Sequence, residues 1–71
     1  MNGLLLSAKE NGLKLQMIYI NEKGALSERF ISIKDFNDTY IRAFCHWKKQ
    51  TRIFKRSNIL SIGYASQKKV V

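Results

Sequence analysis

Apolar residues return at every second position through most of this chain. They never run on for more than four, as in Met17-Ile18-Tyr19-Ile20. A period of two is the pattern of strands that bury one face and wet the other. It is clearest from Tyr40 to Arg56. There Ile41, Ala43, Cys45 and Trp47 fall on one side, and Tyr40, Arg42, Phe44 and His46 on the other. Runs this short are too brief for a transmembrane helix, and the N-terminus lacks the apolar core of a signal peptide. A cytoplasmic protein is the default expectation, and a lone thiol suits a reducing compartment.

The spacing predicts a helix over residues 3–11, with Asn2 as its cap and Asn11-Gly12 as its stop. Strands are predicted at 13–20, 26–33, 39–47, 51–56 and 59–65, followed by a basic tail over 66–71. Asn21 to Gly24 reads as a hairpin turn with Gly24 at positive φ. Lys34 to Asp38 reads as a polar connection anchored by Phe36. Lys48-Lys49-Gln50 reads as a short loop, and Gly63 as a bend or bulge. Five strands of this length are not stable as a flat sheet with one face in water. The expected fold is therefore mainly β: a short N-terminal helix, then a five-stranded, strongly bent antiparallel barrel of the Sm/SH3-like kind. The 71 residues leave room for one domain. A chain this short buries only roughly 60% of its unfolded surface. With one Cys and one His it can form neither an internal disulfide nor a closed zinc site of four protein ligands. Docking on a partner or on a second copy is expected to supplement its core.

Charge divides the chain. Residues 1–38 carry five cations and five anions, whereas residues 39–71 carry eight cations and no anion. The formal charge of +8 thus belongs to the second half, and Tyr40 to Arg56 alone holds six Lys or Arg. Such a half calls for an anionic partner: nucleic acid, nucleotide, anionic lipid or an acidic protein surface. The candidate ligand set is Tyr40, Arg42, His46, Arg52, Phe54 and Arg56, with phosphates meeting the cations and bases stacking on the rings. His46 and Arg52 flank the short loop and are expected to be close. A solvated hairpin with Tyr40 and Phe54 half in the core is the plainer alternative. Lys48 and Lys49 read as solvated charges at a loop tip, adding salt-sensitive attraction. Cys45 reads as a buried, inert thiol. Trp47 is left open between a core lid and an exposed stacking platform. Catalysis finds little support. The basic half has no acidic residue, Cys45 and His46 point to opposite faces, and there is no phosphate-binding glycine loop. The chain is expected not to be an enzyme and to need no cofactor.

In order and spacing the chain resembles the WYL domain, an Sm-like/SH3-like barrel of prokaryotic transcription regulators and some CRISPR-associated proteins. The resemblance rests on Tyr19 ending a strand, the Asn21–Gly24 hairpin, Arg29, and Thr39-Tyr40-Ile41 at the naming tripeptide. It continues through Ala43-Phe44-Cys45-His46, Arg52-Ile53-Phe54-Lys55 and Asn58-Ile59. Thr39 replaces the tripeptide's Trp, Ile33 stands where the family often has Pro, and Asn58 where it has Arg. The resemblance implies a free-standing ligand-sensing module that binds a nucleotide or short single-stranded nucleic acid. Its output would pass through a protein partner or self-association, with no membrane involved. It selects Tyr40, His46 and Arg52 from the ligand set and adds Arg29, otherwise read as a surface residue paired with Glu28 or Glu22. Two other uses of the same barrel stay open: an adaptor docking an acidic protein, and a non-specific RNA-binding oligomer.

Overall fold

Gly12, at φ +63°, ends the first helix, α1 (Asn2–Asn11), as its left-handed C-terminal residue. The Leu13 N–H then reaches back to the Ala8 carbonyl at 3.0 Å, the outer hydrogen bond of a Schellman stop. The computed structural model describes residues 2–65. The strands are β1 (Lys14–Ile20), β2 (Leu26–Phe36), β3 (Tyr40–Cys45), β4 (Gln50–Lys55) and β5 (Ile59–Tyr64), with a 3-10 turn at Arg56–Asn58 before the last. They form one antiparallel sheet in the order β4-β3-β2-β1-β5. The expected basic tail lies outside the described residues. Among the described residues, no helix is long and apolar enough to cross a membrane.

The β4–β5 connection forces curvature. Lys55 and Ile59 end and begin strands on opposite edges of the sheet. Four residue steps reach at most ~14 Å, but the edges of a flat five-stranded sheet lie ~19 Å apart. The sheet therefore curls into a small barrel-like shape. Tyr19, on β1 beside the β5 edge, spans the gap. Its ring meets Phe54 edge-on with centroids 5.1 Å apart, and its hydroxyl accepts the Lys55 N–H at 3.0 Å.

The concave face is the core. Leu15 and Met17 of β1, Ile31 and Ile33 of β2, Ile41, Ala43 and Cys45 of β3, and Phe54 of β4 are buried there. Leu5 and Ala8 of α1 cap it, and the helix packs on β2.

Four local expectations change. Residues 34–36 belong to β2 rather than to a connection, because the ladder shifts register between Ile33 and Asp35. The extra residue, Lys34, resets the alternation so that Phe36 returns to the inner face opposite Ile41. The irregularity on β5 is at Leu60 rather than Gly63: Ile18 pairs with Ser61 and Tyr19 with Ile59, leaving Leu60 unpaired. β3 stops at Cys45, and a four-residue turn, His46–Lys49, replaces the expected three-residue loop. Lys49 makes this possible by taking a left-handed φ of 57°, with its N–H on the Cys45 carbonyl at 2.7 Å. Finally, Arg56 leaves β4 and opens the 3-10 turn. Its guanidinium donates to the Asn37 carbonyl at 2.6 Å and to the Asn2 side-chain oxygen at 2.7 Å. The Asn2 oxygen thus serves a tertiary tie.

Candidate functional site

The hairpin turn decides which side chains meet. A three-residue loop would pair Trp47 with Thr51 and set His46 against Arg52. The observed turn pairs Cys45 with Gln50 and Ala43 with Arg52. The two registers differ by an odd number of residues, so every β4 side chain changes face relative to β3. The seven expected site residues therefore do not form one surface. Arg29, Arg52 and Phe54 lie on the concave side, since they pair with Met17, Ala43 and Ile41. Tyr40, Arg42 and His46 lie on the convex side. Arg56 is committed to the tie with Asn2 and Asn37. Phe54 is only 3% exposed, and acts as a core residue rather than a stacking surface.

The hairpin end of the concave side, where Arg29, Gln50 and Arg52 stand at the rim of the core, is the basic mouth of the fold. β2 runs past the end of β3 there, which carries Arg29 beyond the last β3 pair, Ile31 with Cys45. The Arg29 guanidinium is half-buried. Its carbon lies 5.9 Å from the ring centroids of both Trp47 and Phe54, Nη1 is 3.8 Å from Cys45 Sγ, and Nε donates to Ser27 Oγ at 3.2 Å. Among the described residues it has no carboxylate partner; the one ion pair is Lys9 with Asp35, at 3.9 Å. Glu28 does not serve, because it alternates to the convex side and accepts from the Gln16 amide. Gln50 and Arg52 point from β4 toward the same mouth, and both are exposed.

Trp47 forms the lip. It is 69% exposed at the tip of the turn, with the Lys48 ammonium 4.5 Å from its ring centroid. An indole this exposed is not a core lid. Beneath the lip, burial pushes the Cys45 thiol up. The Lys48 backbone, the Arg29 guanidinium and the Trp47 backbone together outweigh burial and hold the thiol below its usual range.

The convex side is less suited to an anion. A cavity of about 350 Å³ there is lined by Asp35, Phe36, Asn37, Tyr40, Arg42 and Ile53, and Asp35 sits directly across from Arg42. His46 lies farther along. Its Nε2 is 2.7 Å from Ser32 Oγ, and its ring meets Phe44 edge-on at 5.2 Å. Burial first, and the Lys14 charge second, lower its pKa below the ordinary value. It is therefore neutral at pH 7 and supplies hydrogen bonding rather than charge. The single imidazole signal in an NMR titration is expected to have its midpoint below pH ~6.5. Because the unfolded chain takes the proton first, stability is fully present above that unfolded value. It declines as pH falls toward the folded value and is flat below it. A midpoint at or above ~6.5 would contradict this.

No family model and no curated protein matches the chain. A solved structure does: the proteasome accessory factor B/C (PafBC) of Arthrobacter aurescens. The match has a TM-score of 0.74 and 21% sequence identity, and covers 93% of this chain and 11% of that one. At this identity the likeness establishes a shared fold, and this chain corresponds to a small part of that protein.

Proposed function

We propose that this chain is a WYL-like, non-enzymatic ligand-sensing module. It binds a nucleotide or short single-stranded nucleic acid at the concave basic mouth and modulates transcription or a defence complex through a partner. The observation that carries this reading is Arg29. A half-buried guanidinium with no carboxylate partner among the described residues has surrendered hydration without an ionic partner there, a cost that an incoming phosphate offsets. The fold shared with part of PafBC supports the architecture of such a module, and the resemblance to WYL domains supplies the ligand class and the regulatory setting. In this reading Arg29 and Arg52 hold phosphate, and Tyr40, Arg42 and His46 lie outside the primary contact. Arg42 contributes only to the surrounding field.

Fluorescence anisotropy tests this with labelled single-stranded DNA, single-stranded RNA and duplex DNA. Single strands should bind in preference to duplex. With two phosphate contacts, affinity should fall roughly 7-fold between about 50 and 200 mM salt. Equal binding to duplex would point to non-specific attraction. Absence of binding at low salt would favour the acidic-protein adaptor.

A further inference from the structure

Trp47 is the least explained side chain of the fold. Trp is usually well covered, because it has more apolar surface to bury than any other residue. Here the only Trp of a chain with a small core stands 69% exposed. The turn that lifts it out depends on Lys49 in a left-handed conformation, which costs energy for a residue with a Cβ. Its neighbours in space are a half-buried arginine, whose guanidinium carbon lies 5.9 Å from the ring centroid, and the Lys48 ammonium at 4.5 Å. An exposed indole beside two cations suits a ligand that is flat and aromatic at one end and anionic at the other.

Building on the proposed function, we infer that the tip of the β3–β4 hairpin is a platform for one unpaired nucleobase. The base stacks on the Trp47 indole while its phosphate meets the Arg29 guanidinium. Lys48, which lies over the ring in the free protein, gives way to the base and meets the next phosphate. A base within a duplex has both faces covered by its neighbours and cannot stack on the ring without leaving the helix. The platform therefore selects single strands by exposing one ring, with no contact to base edges. Stacking of this kind accepts any base, and sequence preference should be weak. A lipid surface fits less well. The other residues of the turn, His46, Lys48 and Lys49, offer no second apolar side chain to insert.

Trp47 is its own reporter, since no other indole contributes to emission. Titrating the protein with a twelve-nucleotide thymidine strand should quench its fluorescence in step with the anisotropy of the labelled strand. A strand of the same length with abasic residues should bind at least about tenfold more weakly, as should the thymidine strand to a Trp47→Ala variant. Trp47→Phe should recover part of the loss. The side chain is exposed, and circular dichroism should show both variants folded. If the thymidine strand binds but emission is unchanged and Trp47→Ala binds as tightly as wild type, the platform is wrong while the proposed function stands. Equal affinity for the abasic strand has the same meaning. If no strand binds, both readings fall. A blue shift of emission on vesicles of phosphatidylglycerol, without quenching by oligonucleotide, would assign the tip to a membrane surface instead.

Discussion

An Arg29→Met variant is expected to resist urea at least as well as the wild type and to bind single-stranded oligonucleotide roughly 10- to 100-fold more weakly. The two effects have one cause. Arg29 packs its stem and guanidinium against Phe54 and Trp47, with a hydroxyl and a sulfur as its polar neighbours and no carboxylate among the described residues. Methionine fills similar space and brings no charge to desolvate, so packing is kept and the electrostatic cost removed. What is lost is a charge-assisted hydrogen bond to phosphate, worth about 1.5–3 kcal/mol. Urea midpoints and anisotropy titrations measure the two halves separately. A variant that binds as well as wild type would move the anion site away from the mouth.

The largest expected loss of stability comes from Ile31→Ala. Ile31 is fully buried between Leu15 and Cys45 at the centre of the sheet. Truncation there should cost about 2–5 kcal/mol, because the surrounding strands cannot collapse onto the cavity. A domain of this length has roughly 4–10 kcal/mol in total. The melting temperature should therefore drop by about 10 °C or more, with an unfolded fraction visible by circular dichroism. Ile53→Ala is the matched control. Ile53 lies on the convex side and is 58% exposed, so its truncation should stay within about 0.5 kcal/mol. Similar losses for the two would mean that the convex side is covered by something other than water.

Much of this fold was legible in the sequence because burial sets a period. Leu15 and Met17, Ile31 and Ile33, and Ile41, Ala43 and Cys45 are spaced two apart, and all are buried. Gly12 and Gly24 marked turns correctly because positive φ favours their residue type. What was not legible was phase. Alternation says that neighbouring side chains oppose one another; it does not say which face of one strand meets which face of the next. That relation is set by turn length, and Lys49 adopted a conformation its residue type does not advertise. Phe54 held the missing signal. Taken as a core residue and matched with Ile41, it places Arg52 beside Ala43 and away from His46. The Lys34 bulge hid in the same way, because an inserted residue looks like the end of a pattern. Arg56 showed charge but not occupation: a guanidinium held by a carbonyl and an amide reads the same in sequence as a free one.

That held guanidinium has a consequence for how the molecule opens. Asn2 and Arg56 are 54 positions apart, and the same side chain also grips the loop between β2 and β3 through Asn37. Three segments distant along the chain thus share one clasp. Closing so long a loop costs chain entropy, and contacts of this separation tend to form late in folding. Once formed, the clasp ties the start of the helix, the β2–β3 loop and the β4–β5 corner into one cooperative patch. Amide protons in these segments are expected to exchange with solvent through shared openings rather than one segment at a time. The corner that curls the sheet and the helix that caps its core therefore loosen together.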